Sequence, residues 1–354
     1  MARIILYAEV PCFYASVERA AAPELASRPV IVGGDPRKRG LVQAATPDAL
    51  AAGVREDMPV LEALERCPRA RAVRTNMARY RDASRRLFAC LRRDAEKLEA
   101  AGLAGAYVDA TGLPVSAEAI AAAWLTRIRD ELGLPLRVGI ARSKRVARLA
   151  AEEAGEGVRR VALGAEAAFL RPLPVTRLEG VGLKTASTLA EQGAQTIGEV
   201  AALGRERLEA LLGSHGLRIF AAATGADDPP VRAARHPQSL SREATLSGEP
   251  FDRDALALHL QQLSRQLEAE LLVQGLSARR VTLKIRYLDQ ATTTRSQAFS
   301  TPVASAAEIH AVALHLLGRA QAGVRSIRSL GIQLAKLAAK RDSERQLGLF
   351  SPRG

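Results

Sequence analysis

The feature that most constrains the fold is a near-continuous apolar run at residues 3–10. The run contains the β-branched residues Ile4, Ile5 and Val10 and lacks the polar alternation of a half-exposed strand. It therefore predicts a strand that is buried on both faces, as in the interior of a covered sheet. The first part of the chain must build a sheet around this strand.

The rest of the first half alternates helical and extended patterns. A helix is predicted at 12–19, and prolines and glycines then break the segment 21–73 into a loop-rich insertion with short helices. Apolar residues at helical spacing predict a long amphipathic helix over 80–98. Two short strands, Gly105–Asp109 and 136–141, flank a further helix. The order βα…αβαβ indicates an α+β sheet domain.

The second half changes pattern twice. From residue 170, prolines and short apolar segments predict a small helical domain, which ends at the DDPP sequence of 227–230. A polar, basic linker follows. A helix around 255–272 then precedes an alternating segment, 281–287, which predicts a half-buried strand with a basic outer face.

The charge of the chain favours a polyanionic partner. Its 354 residues include 51 Lys and Arg against 38 Asp and Glu, a net charge of +13. Ten of these basic residues fall within 279–340, where only two acids occur. The three cysteines lack CxxC spacing and the five histidines lack ligand spacing, so neither a disulfide framework nor a metal site is predicted from them. No signal peptide or membrane span is expected, and a reducing cytoplasm fits best.

Six short motifs resemble those of Y-family translesion DNA polymerases, in the family's order and spacing. The segment EVPCFYASVE at 9–18 is similar to the family's opening motif D-x-D-C-F-[FY]-A-x-V-E. The other five are PVIVGG at 29–34, AGVR at 52–55 with MP at 58–59, AYVD at 106–109, VGIA at 138–141 and GVGLKTA at 180–186. Any one is a weak signal, whereas six in register are a strong one.

The resemblance implies an α+β multidomain fold with the right-hand architecture of these polymerases. The palm is expected at 1–20 and 74–165, the fingers at 21–73 and a helix-hairpin-helix thumb at 166–230. A linker at 231–240 leads to an α/β little finger at 241–340. The remaining residues, 341–354, are expected to form a flexible tail.

The metal-binding positions of the family are altered. Its carboxylates hold two Mg²⁺ ions, one activating the primer hydroxyl and one neutralising the triphosphate. Glu9 stands at the first metal-binding Asp, and Pro11 replaces the second acid of the opening motif. Ala104 and Gly105 replace both carboxylates of the family's S-L-D-E. Asp109 remains, but strand-end hydrogen bonding explains it. No catalytic position is intact, and no metal or cofactor is expected.

The nucleotide-holding positions are altered as well. The family's N-Y-x-A-R-x-x-G-V supplies a Tyr and an Arg that grip the triphosphate, and this chain has Pro47 and Leu50 there. The change to Leu removes a bidentate, charge-assisted phosphate contact. Tyr14 occupies the family's steric-gate position, and Arg148 stands where a triphosphate-facing Lys occurs. A core aromatic and a solvated helix residue are the alternative interpretations of these two.

The DNA-holding features are better preserved. Two glycines of the GVG turn let helix N–H groups approach a phosphate, although a glycine cap between packed helices is the alternative. Lys284 and Arg286 share one strand face that can lie along a groove backbone, and a solvated sheet face is the alternative. The predicted DNA contacts are Gly180, Gly182, Lys184, Thr185, Lys284, Arg286, Arg295 and Arg328.

The tail contains QLGLF at 346–350. This sequence resembles the Q-L-x-L-F peptide with which bacterial polymerases and repair proteins bind the sliding clamp. Gln346 offers hydrogen bonds, and Leu347, Leu349 and Phe350 offer apolar contacts on a flexible tether. An apolar patch that packs on its own domain is the alternative.

The leading hypothesis is a repair protein that keeps DNA and clamp binding but has lost nucleotidyl transfer, similar to the ImuB-type subunit. That resemblance implies damaged primer-template DNA, the sliding clamp, an error-prone replicative-type polymerase and a RecA-like accessory protein as partners, in the SOS response on the bacterial nucleoid. One alternative is an active, Mg²⁺-dependent lesion-bypass polymerase that uses Glu9 with Asp109 or Glu99. Another is a structure-specific DNA-binding protein without replication partners.

Overall fold

A computed structural model describes residues 3–95, 97–225, 229–232, 238–246, 253–289, 291–320 and 326–339. The chain divides into two compact units, Met1–Ala234 and Arg235–Gly354. In the described residues no helix is long and apolar enough to cross a membrane.

The first unit contains two sheets and a series of helices. Its strands are β1 (Ile5–Glu9), β2 (Val30–Gly33), β3 (Val42–Ala45), β4 (Arg71–Arg74), β5 (Leu98–Ala101), β6 (Gly105–Asp109), β7 (Arg137–Ala141) and β8 (Gly157–Arg160). Its helices are α1 (Phe13–Ala21), α2 (Pro47–Ala51), α3 (Val60–Arg66), α4 (Met77–Arg92), α5 (Ala117–Leu132), α6 (Lys144–Glu153), α7 (Glu166–Leu170), α8 (Leu183–Ala190), α9 (Ile197–Leu203), α10 (Arg205–Leu212) and α11 (Ser214–Ala223). The strands form a sheet of order β5-β6-β1-β7-β8 and a smaller one of order β3-β2-β4.

Strand β1 is buried at the centre of the larger sheet, as its apolar run predicts. Because side chains alternate along a strand, Leu6 and Ala8 face a core that includes Trp124 of α5. Ile5 and Tyr7 face a second core that includes residues of α6 and of the helices after it. The expectation of a strand covered on both faces is confirmed.

Two local expectations differ from the structure. The helix predicted over 80–98 ends at Arg92, and the Asp94 carboxylate just beyond it accepts hydrogen bonds from the Trp124 indole and from Arg127. Leu98 then begins β5, which pairs with β6. The insertion expected to hold only loops and short helices also contains the sheet β3-β2-β4.

The second unit is an antiparallel sheet with helices on one face. Its elements are β9 (Ser239–Thr245), α12 (Arg253–Gln274), β10 (Leu276–Tyr287), β11 (Thr292–Val303), α13 (Ala306–Arg319) and β12 (Ile327–Ala339), with strand order β11-β10-β12-β9. Leu283 and Ile285 of β10 pack in a core with residues of α12 and α13. The strand predicted at 281–287 is therefore present, and it begins five residues earlier, at Leu276.

Candidate functional site

The altered metal positions meet at one edge of the larger sheet, where β1 ends and β6 and β7 begin. Glu9, the last residue of β1, is in register with Gly105 of β6 on one side and with Arg137 of β7 on the other. Ala104 immediately precedes β6, and its carbonyl oxygen accepts a hydrogen bond of 2.9 Å from the Val10 amide. We call Gly105, Glu9 and Arg137 the Glu9 row. The structure thus brings together the degenerate positions that the sequence identifies.

The Glu9 carboxylate is held by Arg137. The Nε atom of Arg137 donates to Oε2 of Glu9 at 2.9 Å, and its Nη2 atom donates to the same oxygen. Directly paired residues of antiparallel strands carry their side chains on the same face, which allows this contact. Because the two side chains are only 18% and 22% exposed, water screens the pair weakly. The carboxylate already has a cationic partner.

Tyr7 fills the space beside Gly105. A Cβ atom at position 105 would lie 2.9 Å from the Tyr7 hydroxyl, 2.9 Å from the Ala8 carbonyl oxygen and 3.2 Å from Cβ of Glu9. Burial, together with the negative charge of Glu9, raises the pKa of Tyr7 above its ordinary value, so the hydroxyl stays protonated. Any side chain at position 105 requires its neighbours to move.

The two other acids considered from the sequence do not join Glu9. Asp109 pairs with Ile5 at the opposite end of β1, four residues along β6 from Gly105, which is about 13 Å in a strand. Its carboxylate accepts a hydrogen bond of 3.0 Å from the Thr111 amide. Glu99 lies on β5, two strands from β1, and its carboxylate binds Nζ of Lys144 at 2.7 Å.

These contacts decide whether the site fits the metal pair that the resemblance implies. Two Mg²⁺ ions require several carboxylate oxygens arranged around them. The Glu9 row offers one carboxylate, and that group binds the Arg137 guanidinium. Within the described residues, no group of three or more His, Cys, Asp or Glu side chains is placed to hold a metal ion. The residues present do not fit a two-metal centre.

The nucleotide-facing positions form structural contacts. Tyr14 is half-buried, and its ring stacks on Tyr80 with centroids 4.3 Å apart. Pro47 is the first residue of α2, and Leu50 packs against the small core around the sheet β3-β2-β4. Nε of the exposed Arg148 donates to Glu152 at 3.2 Å.

The GVG turn presents an open helix N-terminus. Gly180 has a φ of +90°, a conformation that favours glycine, and Gly182 is the N-cap of α8 with no atom within 4 Å of where a Cβ would stand. Lys184 is exposed and Thr185 half-buried in the first turn of α8. Sequence reasoning missed His215, whose Nε2 lies 3.1 Å from the Gly180 carbonyl oxygen and fixes the turn. No sequence pattern links these two distant residues.

The four basic residues predicted in the last domain do not share one face. Thr282, Lys284 and Arg286 alternate with the core residues of β10 and so lie on the face opposite the helices. Arg295 pairs with the core residue Leu283, which puts it on the helix-bearing side, and its Nε atom donates to the Arg319 carbonyl oxygen at the end of α13. Arg328 is exposed beside the bulge at the start of β12. Strand register therefore separates Arg295 from Lys284 and Arg286, the two residues that were expected to share one strand face.

The outer face of this sheet is rich in hydroxyl groups. Register places polar residues around Lys284 and Arg286, namely Thr282, Thr292, Thr294, Ser296, Ser329, Gln333, Ser239, Ser241 and Thr245, together with Arg280 and the acid Glu243, whose carboxylate accepts a hydrogen bond from Ser329. We call this set, with Lys284 and Arg286, the polar sheet face. The predicted clamp-binding residues Gln346, Leu347, Leu349 and Phe350 lie outside the described residues.

Comparison with known proteins gives relatives along nearly the whole chain. A DNA polymerase IV of Halorhodospira halophila is 36% identical over 353 residues, which cover 99% of this chain and 98% of that protein. A DNA polymerase IV of Dehalococcoides mccartyi strain CBDB1 is 35% identical over 338 residues, covering 94% and 87%. The DNA polymerase IV 1 of Bacillus subtilis is 34% identical over 355 residues, covering 99% and 86%.

Solved structures with the same fold are Y-family polymerases. A Y-family polymerase chimera of Dbh and Dpo4 has a TM-score of 0.82 at 24% identity, over 94% of this chain and 98% of that one. Dbh polymerase in an insertion ternary complex has a TM-score of 0.72 at 22% identity, over the same fractions. These likenesses confirm the expected α+β architecture with right-hand polymerase topology.

Family assignment agrees with the fold and the relatives. The impB/mucB/samB family matches residues 9–152, and the C-terminal domain of that family matches residues 237–349. Together these segments span more than half of the chain. The chain therefore belongs to the Y family of DNA polymerases, in the DinB/UmuC group.

Proposed function

We propose that this chain is a DNA-binding Y-family homologue that does not catalyse nucleotidyl transfer and acts as an adaptor on damaged primer-template DNA, in the manner of ImuB-type subunits. The observation that carries the proposal is the state of Glu9. It is the one remaining counterpart of the family's metal carboxylates, and it is bound by Arg137.

The two-ion reaction requires more metal ligands than Glu9 alone supplies. In the two-ion reaction, one ion activates the primer hydroxyl and the other neutralises the triphosphate, so both ions must be held at once. Ala104 and Gly105 have no side-chain oxygen, and Pro11 has none either. A single carboxylate that already binds a guanidinium provides too few oxygen ligands to hold two ions at once.

DNA binding is supported by two separate surfaces. The open N-terminus of α8, with the exposed Lys184, offers backbone N–H groups to a phosphate. The polar sheet face offers three cations and many hydroxyl groups, which suit phosphate and sugar oxygens, against one carboxylate, Glu243. The net charge of +13 favours the approach of a polyanion.

The adaptor role rests on the tail sequence. Gln346, Leu347, Leu349 and Phe350 match the clamp-binding peptide, so we propose the sliding clamp as a partner. By resemblance to ImuB-type subunits, an error-prone polymerase and a RecA-like accessory protein are proposed to join at the damaged site.

A second candidate is favoured by one observation. Relatives that are 34–36% identical over nearly the whole chain are named DNA polymerase IV. An active lesion-bypass polymerase would use Mg²⁺ at a rebuilt site that includes Glu9.

Assembly on primed DNA tests the proposal. The full chain, a fluorescent primer-template and purified sliding clamp are mixed with Mg²⁺ and all four deoxynucleotides, and complexes and primer length are followed together. We expect a complex with DNA and clamp in which the primer stays unextended. The variant Leu349→Ala/Phe350→Ala should lose the clamp and keep the DNA, and clamp binding that survives this change contradicts the assignment of clamp binding to this peptide. Extension of the primer contradicts the non-catalytic role.

A further inference from the structure

We propose that Tyr7, Glu9 and Arg137 form a metal-free latch that has replaced the metal centre, so that restoring carboxylates at positions 104 and 105 does not by itself restore binding of a divalent cation. The inference rests on the proposed function, because it explains how a palm without catalytic metals is held together. The Tyr7–Glu9–Arg137 latch opposes a metal ion in two independent ways, through charge and through space.

The first obstacle is charge. Arg137 supplies a positive charge at the carboxylate and directs two N–H groups to one Glu9 oxygen. A cation that approached Glu9 would have to displace this guanidinium or accept its repulsion at close range. Because Arg137 is the direct cross-strand neighbour of Glu9, its position is set by the sheet rather than by a mobile loop.

The second obstacle is space. The Tyr7 hydroxyl stands 2.9 Å from where the first side-chain atom of residue 105 would be. Its ring is 2% exposed and contacts the Tyr107 ring, with centroids 4.6 Å apart. The backbone of α6 lies directly over the neighbouring Gly139, where an added Cβ would be 1.8 Å from the Ala147 carbonyl oxygen. Tyr7 is therefore buried and packed against the Tyr107 ring, so a new side chain at position 105 requires its hydroxyl to move.

The two obstacles predict an order among designed variants. The double variant Ala104→Asp/Gly105→Glu regains the oxygens but keeps both obstacles. Adding Arg137→Ser removes the charge, and adding Tyr7→Phe also removes the hydroxyl. We expect affinity for a divalent cation to appear only when the latch residues change together with the carboxylates.

Mn²⁺ binding measures this directly and does not depend on polymerase activity. Free Mn²⁺ is followed by electron paramagnetic resonance on the full-length wild type, the double variant and the quadruple variant, with Trp124 fluorescence as the folding control. The quadruple variant should bind Mn²⁺ at least about tenfold more tightly than the double variant. Equal affinities of the double and quadruple variants would overturn the latch. If the quadruple variant does not fold, the triple variant that lacks only Tyr7→Phe is compared with the double variant, and equal affinities overturn the charge obstacle.

The outcome is separable from that of the proposed function. Primer extension by the wild type would contradict the non-catalytic proposal whatever the variants bind. An inactive wild type with a double variant that binds Mn²⁺ as tightly as the quadruple variant would contradict the latch alone.

Discussion

Replacing Arg137 by Leu should destabilise the first unit by about 2 kcal/mol. The substitution keeps an apolar stem but leaves the Glu9 carboxylate, 18% exposed, without its cation. Breaking a fully buried pair costs about 3–5 kcal/mol, whereas an exposed pair contributes about 0–1 kcal/mol. Because both side chains are about one-fifth exposed, we expect a value between these limits.

Trp124 makes this change measurable. It is the single tryptophan of the chain and is fully buried in the core beside β1, so its fluorescence reports unfolding of this unit in urea. With a denaturant slope of about 3 kcal/mol/M, the midpoint should fall by about 0.7 M. The double variant Glu9→Gln/Arg137→Leu should lose less than the sum of the single variants, because neither charge is then left alone. Additive losses would show that Glu9 and Arg137 do not stabilise each other.

Three further outcomes are expected. Lys284→Ala/Arg286→Ala should weaken DNA binding and lower the slope of log affinity against log salt by about 2. Arg295→Ala, on the other side of the sheet, should leave the affinity and the slope unchanged. Fluorescence anisotropy across a salt series measures both quantities. Gly180→Ala should destabilise the chain by about 1–2 kcal/mol, because the φ of Gly180 is +90°. Gly182→Ala should retain stability and still weaken DNA binding. Equal stability of the two variants would contradict a conformational requirement for glycine at position 180. The hydrogen bond from Arg127, with a smaller contribution from the Trp124 indole, lowers the pKa of Asp94. The stabilisation by Asp94 is therefore present above the ordinary carboxyl pKa of about 4 and is lost as pH falls. Asp94→Asn should flatten this acid dependence of unfolding.

Local pattern predicted many of the helices and strands but not the contacts of the site. The apolar run at 3–10 predicted a doubly covered strand, because burial on both faces leaves a signature in consecutive residues. The spacing over 80–98 overestimated one helix, because Leu98 matches the helical period but belongs to β5. Leu98 pairs with Val108 of β6 instead, and periodicity carries no information about such tertiary pairing.

The contacts of the site depend on pairings between distant residues. Missing carboxylates at 104 and 105 were visible in the sequence because a motif fixed their positions. The pairing of Glu9 with Arg137, 128 residues apart, depends on the order of strands in the sheet. The same holds for Arg295. It belongs to the same basic segment as Lys284, but strand register places the two residues on opposite sides of the sheet.

Single-turnover nucleotide incorporation distinguishes a non-catalytic homologue from an active polymerase. The full chain is held in excess over a labelled primer-template, with Mg²⁺ or Mn²⁺ and all four deoxynucleotides, and the DNA polymerase IV of Halorhodospira halophila serves as the matched control. For a non-catalytic homologue, we expect that the DNA is bound while the primer gains no nucleotide with either ion. Template-dependent extension that Glu9→Gln abolishes would contradict this expectation and would assign to Glu9 a metal ion that the guanidinium of Arg137 is argued to exclude.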